Sequence, residues 1–100
     1  MATSSKVLAR TAAATSSTTL YTVPSATTTV VTNIAVTNSA TSAATFTITL
    51  DSVDLFKDAE LAANTTALID LKQVLDTTKI IAGLASATTV RFQISGVEIA

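Results

Sequence analysis

Between Arg10 and Asp51 the chain carries no ionisable side chain except that of Tyr21. The segment is built mainly from Thr, Ser, Ala, Val and Asn. Soluble domains usually keep about a quarter of their residues charged, whereas this chain has 13% and a formal net charge of −1. A surface with so little charge is weakly protected against association. The composition therefore predicts a β-rich protein that packs against copies of itself or against a larger body.

The residue types that are missing narrow the possible functions. The 100 residues are enough for one domain. The chain has no Cys, His or Trp, which removes the commonest general base and the usual zinc ligands. Six basic and seven acidic residues give no electrostatic footprint for nucleic acid or an anionic membrane. We therefore expect no enzyme activity, no cofactor or metal, and no small-molecule substrate.

The amino-terminal residues have an unusual composition. Residues 1–19 are dominated by Ala, Ser and Thr, a composition that buries little apolar area. Val7 and Leu8, flanked by Lys6 and Arg10, suggest one docking strand within this stretch. We predict an extended N-terminal arm that is ordered by a neighbour, with simple disorder as the alternative. No apolar segment follows the first cations, so we expect no secretory signal, no membrane span and synthesis in the cytoplasm.

From residue 20 onward the pattern is that of short β-strands separated by turns. The clearest alternation places Ala44, Phe46, Ile48 and Leu50 on one face and threonines on the other. A second alternation places Val30, Thr32, Ile34 and Val36 on one face. The predicted strands are Leu20–Val23, Thr28–Asn38, Ala44–Leu50, Val53–Lys57, Thr66–Leu71, Lys79–Leu84, Thr88–Ser95 and Val97–Ile99.

These strands predict an all-β fold, an antiparallel β-sandwich that is jelly-roll-like, over residues 20–100. The turns are predicted at Pro24 to Ala26, at Asp51–Ser52 and at Asp76–Thr78. Asp58–Asn64 has the one local helical composition and is predicted as a loop with one helical turn. Parallel βαβ units are not expected, because no ten-residue segment has a strong helical period.

Two motifs have a functional and a simpler interpretation. Asp51, Asp54 and Asp58 carry carboxylates that bind Ca²⁺ in other proteins, but they lack the EF-hand spacing and its glycine. A turn and a solvated strand face explain them better. Asn64 begins an N-glycosylation triplet, which arises often by chance in a threonine-rich chain and is more simply a turn.

The order of several short motifs resembles a family of small virion structural proteins of tailed bacteriophages. The resemblance begins at LYTVP (Leu20–Pro24), continues through VVTNIAVTNSATSAATFTITLD and ends with RFQISGVEI. Family members often carry glycine at the turns after the proline and after the aspartate, where this chain has Ser25 and Ser52. The likeness covers about residues 20–99.

The resemblance implies a structural β-sandwich, commonly trimeric, without catalysis. The leading hypothesis is a capsid decoration (cement) protein on the phage head, with other copies of itself, in a homotrimer, and the major capsid protein as partners. The alternatives are a tail, fibre or baseplate component and, from another class, a secreted carbohydrate-binding module. The candidate partner-binding residues are Lys6, Val7, Leu8, Arg10, Tyr21 and Lys57.

Overall fold

The computed structural model describes residues 3–100, and these form eight β-strands and no helix. Since the described residues contain no helix, none of them forms a helix that could cross a membrane. The strands are β1 (Thr3–Ala12), β2 (Thr18–Thr22), β3 (Thr28–Asn38), β4 (Ala44–Leu50), β5 (Val53–Leu61), β6 (Thr65–Leu75), β7 (Ile80–Ala85) and β8 (Val90–Ile99).

The eight strands form two four-stranded antiparallel sheets. The first sheet has the order β1-β8-β3-β6 and the second has the order β2-β7-β4-β5. Every hydrogen-bonded neighbour is antiparallel. Only β4 and β5 are joined as a hairpin within one sheet, whereas every other connection crosses to the opposite sheet. The prediction of an all-β chain with two antiparallel sheets is confirmed.

The core lies between the inner faces of the two sheets. Phe92 is completely buried and its ring centroid lies 6.4 Å from that of Phe46 in the opposite sheet. Edge-to-face aromatic pairs of this kind add to the free energy gained from apolar burial. Both strands that carry these rings are central in their sheets, which places the largest side chains where the two layers overlap. The other large, fully buried side chains are Ile34, Ile48, Ile81, Ile94, Val23, Val31, Val36 and Val90.

A β-bulge in β3 changes which face of the strand is buried. The pairing register of β3 with both of its neighbours shifts between Val31 and Asn33, which leaves Thr32 as the extra residue. Val31 is buried before the bulge, whereas Ile34 and Val36 are buried after it. The bulge therefore moves the apolar set back to the core side. The prediction that Val30 and Thr32 share the face of Ile34 and Val36 is wrong for this reason.

Two predicted interruptions are absent from the described strands. The loop with a helical turn predicted at Asp58–Asn64 is reduced to a turn at residues 62–64, because β5 continues through Asp58 to Leu61. A bulge takes up the irregularity, with Asp58 at a positive φ of 49°. At the other end of the chain, the two predicted strands around Gly96 form one strand, β8. A Cβ at residue 96 would collide with the carbonyl oxygen of Val30, so glycine permits this close approach.

The described part of the predicted arm is a strand of the first sheet. Residues 3–12 form β1 and pair with β8 of the same chain. A bulge between Val7 and Ala9 turns Leu8 and Ala9 into the core, where both are buried. An arm that leaves the sandwich to reach a neighbour is thus not confirmed. The first two residues of the predicted arm lie outside the described residues.

The hairpin turn predicted at Asp51–Ser52 is confirmed. The two residues connect β4 to β5 and have positive φ angles of 52° and 63°. Positive φ at both central residues is the pattern of a type I′ turn, which matches the twist of the strands. A serine at such a position is strained relative to glycine. In the turn after Pro24, the residue with positive φ is Ala26 rather than Ser25.

We predict that Leu8→Ala lowers the free energy of unfolding by about 2–3 kcal/mol, because it leaves a cavity in the core. Val7→Ala, which changes the exposed neighbour, is the matched control and should cost about 0.5 kcal/mol or less. Urea denaturation of the two variants measures both values. Equal and small effects would show that β1 does not contribute to the folded core.

We predict that Ser52→Gly raises the free energy of unfolding by about 0.5–1 kcal/mol, because it relieves the positive φ. Ser25→Gly, in the turn where φ at that residue is not positive, should lower it by a similar amount through the added flexibility of the unfolded chain. Thermal denaturation of the pair tests this. A stabilising Ser25→Gly substitution would contradict the prediction.

Candidate partner-binding surface

The charged residues are concentrated on the edge strands. Strands β2, β3, β4 and β7 carry none, and β8 carries only Arg91 and Glu98. Eight of the thirteen charged side chains lie on β1, β5 and β6, these two lie on β8, and the remaining three lie in turns. The central part of each sheet is therefore nearly neutral. A partner that recognises charge therefore meets most of the charged residues at the sides of the sandwich.

The two sides of the sandwich differ in the sign of their charge. Strands β1 and β2 contact each other at one side, and β5 and β6 contact each other at the other. Strands β1 and β2 carry Lys6 and Arg10 and no carboxylate, and Lys6 lies 3.3 Å from Glu98 of the adjacent strand β8, so Arg10 carries the unbalanced positive charge of this side. The β5/β6 side carries four carboxylates and two lysines, which are Asp54, Asp58, Glu60, Asp70, Lys57 and Lys72.

The exposed large hydrophobic side chains also lie on the edge strands. Leu68 and Val74 of β6 are 81% and 63% exposed, Val53 of β5 is 68% exposed and Val7 of β1 is 46% exposed. Val74 lies beside Val30 on the outer face of the first sheet, and Val30 lies beside Val97. This row of three valines crosses β6, β3 and β8 on the solvent side.

Two shallow depressions flank the Thr32 bulge on the outer face of the first sheet. One has a volume of about 590 Å³ and is lined by Thr32, Asp70, Leu71 and Lys72. The other has a volume of about 390 Å³ and lies over β1 and β8, with Lys6 and Val7 among its lining residues. Both are wide open to solvent, so they suit contact with a protein surface better than enclosure of a small molecule.

A polar cluster ties the two sheets together at one end of the sandwich. The hydroxyl of Tyr21 on β2 donates to a carboxylate oxygen of Glu98 on β8. The hydroxyl of Thr29 lies 2.8 Å from the Tyr21 oxygen and completes its hydrogen bonding. The Lys6 ammonium on β1 lies 3.3 Å from the Glu98 carboxylate. Glu98 thus joins three strands from both sheets.

The cluster shifts the pKa of both of its acidic members. The hydrogen bond from Tyr21, together with the nearby Lys6 ammonium, lowers the pKa of the Glu98 carboxyl below its usual value, although partial burial opposes this. Burial and the neighbouring Glu98 carboxylate raise the pKa of Tyr21 to about 12. The favoured state therefore has an ionised glutamate, a neutral tyrosine and a charged lysine.

A second polar cluster closes the opposite end. The buried side-chain amide of Asn38 donates to the carbonyl oxygens of Ser42 and Leu61 at 2.9 and 3.3 Å. Its oxygen accepts from the backbone N–H of Ala40 at 3.0 Å and from the Thr89 hydroxyl at 3.3 Å. The amide thereby holds three loops together. All its groups are satisfied within the chain, so its role is structural.

The structure places the six predicted partner-binding residues at four different locations. Val7 and Arg10 are exposed on β1, at the outer face of the first sheet. Lys6 and Tyr21 meet through Glu98. Leu8 lies in the core, and Lys57 lies on β5 at the other side of the sandwich. The predicted residues therefore do not form one patch.

Glu98 and Thr29 were not among the predicted residues, although both belong to the Tyr21 cluster. A signal was present in the sequence: continuing the alternation of Phe92 and Ile94 through Gly96 places Glu98 on the inner face. An inward carboxylate requires a hydrogen-bonding partner. The partner, Tyr21, is 77 residues away in sequence and becomes apparent only from the fold.

The three aspartates considered for Ca²⁺ do not converge on one point. Asp51 lies 3.8 Å from the Lys79 ammonium, and the Asp58 backbone N–H donates to the Thr47 hydroxyl at 3.0 Å. Within residues 3–100, no three acidic side chains are placed together so as to hold a metal ion.

Comparison of the chain with protein-family models, with curated proteins and with solved structures found no match.

We predict that the cluster makes stability depend on pH at both extremes. Because folding lowers the pKa of Glu98, its contribution is present above the ordinary carboxyl pKa and is lost as the pH falls through the folded value. Because folding raises the pKa of Tyr21, its contribution is present below pH 10 and is lost as the pH rises to about 12. Urea denaturation across the pH range measures both losses.

Glu98→Gln should make the free energy of unfolding less dependent on pH in the acid range. Tyr21→Phe should do the same in the alkaline range. Glu60→Gln, which removes an exposed carboxylate from β5, is the matched control and should keep the acid slope. An unchanged acid slope in Glu98→Gln would contradict the assigned role of the cluster.

Proposed function

We propose that this chain is a non-enzymatic structural protein of a tailed-phage virion. In this proposal it is a capsid decoration (cement) protein, which binds the assembled head as an oligomer, commonly a trimer, and stabilises it. Its partners are other copies of itself, in a homotrimer, and the major capsid protein. The observation that carries the proposal is a sandwich whose four central strands carry only two charged residues, Arg91 and Glu98, combined with the resemblance of residues 20–99 to small virion proteins.

The strand order supports a jelly-roll fold in this proposal. Eight antiparallel strands divide into sheets of order β1-β8-β3-β6 and β2-β7-β4-β5, and the chain crosses between the sheets at almost every connection. Two four-stranded sheets with this winding are the arrangement of jelly rolls, which occur in viral capsid proteins and in lectins. One fold hosts many functions, so the surface residues have to distinguish between them.

The surface favours a structural role over carbohydrate binding. A lectin-like site needs exposed aromatic rings on which sugar rings can stack. Phe46 and Phe92 are buried, and Phe56 packs against Phe46 at a centroid distance of 5.7 Å. The Tyr21 hydroxyl is engaged by Glu98. Two of the four aromatic rings are thus buried and the other two are half-buried, which leaves no fully exposed ring for a sugar to stack on.

The proposed action is thermodynamic. A protein that binds the assembled shell but not free coat subunits shifts the assembly equilibrium toward the shell, by a free energy that grows with its concentration relative to the dissociation constant. The neutral threonine and valine faces make such contacts with little desolvation of charge. A tail, fibre or baseplate component with the same fold is the second candidate, and it differs in copy number.

We predict that purified protein binds undecorated heads of the phage that encodes it, at hundreds of copies per particle, and raises their resistance to heating. Cryo-electron microscopy and quantitative protein composition of the particles measure this directly. Disassembled coat protein is the control, and we expect it to bind weakly.

Each alternative gives a different result in the same measurements. A few to tens of copies, with density confined to the tail, would replace the cement assignment with the tail component. Absence of the chain from purified virions would contradict the whole proposal.

A further inference from the structure

We propose that copies of this chain associate side to side, with the β1/β2 side of one copy against the β5/β6 side of the next. The inference rests on the proposed function, because it specifies the surfaces of the self-association in that proposal. Three properties of the edge strands point to a second copy as the partner: their unpaired backbone, their exposed apolar side chains and their opposite charge.

The backbone of the first sheet is left unpaired at both edges. β1 pairs only with β8, and β6 pairs only with β3, over ten and eleven residues respectively. Long edges of this kind present free N–H and C=O groups to another strand. Each neighbouring pair in the sheet is antiparallel, so β1 and β6 run in opposite directions. A second copy placed alongside in the same orientation therefore brings its β1 antiparallel to β6.

The exposed apolar side chains lie where this contact would cover them. All four exposed large hydrophobic residues are on the edge strands β1, β5 and β6, with Leu68 at 81% exposure. The free edge of β6 offers only Asp70 and Lys72 as charged protection. Monomeric proteins usually guard a long edge more heavily than this. Burial against a second copy removes both the apolar surface and the open edge from water.

The distribution of charge favours contact between the two unlike sides of neighbouring copies over contact between two identical sides. Two β1/β2 sides would bring cations together, and two β5/β6 sides would bring an excess of carboxylates together. In the register of the first sheet, Arg10 lies opposite Gln93, which lies opposite Ala35, which in turn lies opposite Leu68. Arg10 and Leu68 are therefore at the same height along the strands. Asp70 is two residues further along β6. If the two copies pair at the same height, Arg10 of one copy lies opposite Leu68 of the next copy and diagonal to its Asp70.

Contact between unlike sides has a structural consequence. Such a head-to-tail interface builds a closed ring when the rotation between copies closes, and an open filament when it does not. A ring of three copies is the closed form that agrees with the proposed trimer. Strand β5 has two register shifts and four charged residues, against one register shift and two charged residues in β1, so the ladder is continued in the first sheet alone.

The test is sedimentation of the purified full chain over a range of concentrations, at low and at high ionic strength. We expect a concentration-dependent oligomer that weakens with salt. Arg10→Glu places two like charges at the contact and should raise the dissociation constant about tenfold, which corresponds to about 1.4 kcal/mol. Leu68→Ser should weaken the oligomer as well. Circular dichroism and thermal denaturation confirm that each variant is folded.

Two further variants make the test specific. Arg91→Glu makes the same charge change on the same sheet face but on the central strand β8, and it should leave the oligomer intact. The double variant Arg10→Asp with Asp70→Arg exchanges the charges between the two edges and should restore the association lost in Arg10→Glu. A monomeric wild-type chain, an oligomer insensitive to Arg10→Glu and Leu68→Ser, or equal effects of Arg10→Glu and Arg91→Glu would overturn the inference.

These measurements use no viral particles, so their failure is separate from failure of the proposed function. A monomer that still binds phage heads would overturn the edge contact alone. An oligomer with the expected variant pattern that binds no head would support the edge contact and contradict the cement function.

Discussion

The packing of two apolar inner faces around Phe92 is the interaction on which the rest of the structure depends. It requires each strand to keep its apolar side chains on the same side along its whole length, although the sequence does not alternate strictly. Bulges at Leu8 and Thr32 bring the apolar side chains that follow them back to the inner face. Each bulge lies beside the stretch of β8 around Ser95. These bulges let ten- and eleven-residue strands of irregular pattern bury one continuous face. The two depressions on the outer face are both lined by Thr32 and lie at the bulge in β3.

Two strands bounded by turn residues could be predicted with their limits. Thr28–Asn38 and Ala44–Leu50 agree with β3 and β4 at both ends. The failures fall where a strand contains a bulge or a positive φ, as at Thr32 and Asp58. Local composition then resembles a turn, while hydrogen bonds to the neighbouring strand keep the chain extended. Pairing with the neighbouring strand overrides the local preference at such places, and this pairing cannot be inferred from the pattern of a single sequence.

The candidate surface was predictable only in part, for a related reason. The sequence shows that charge is scarce, but it does not show that the charges lie on edge strands, because strand order depends on long-range pairing. β1 illustrates this point. Its low-complexity composition indicates an arm, yet Leu8 and Ala9 supply enough apolar area to hold the segment against the core. The cluster of Lys6, Tyr21 and Glu98 joins residues from both ends of the chain and is equally a product of topology.

The placement of charge also decides what kind of surface the sandwich presents. The outer face of β4 is a row of threonines, and the Thr47 hydroxyl hydrogen-bonds to Asp58 of β5. A face of that kind is neutral without being strongly apolar. The exposed apolar side chains are instead gathered on β1, β5 and β6, next to the charges. Sparse charge and exposed hydrocarbon therefore coincide at the sides of the sandwich, and the first contact with another copy is argued to be there rather than on the broad faces.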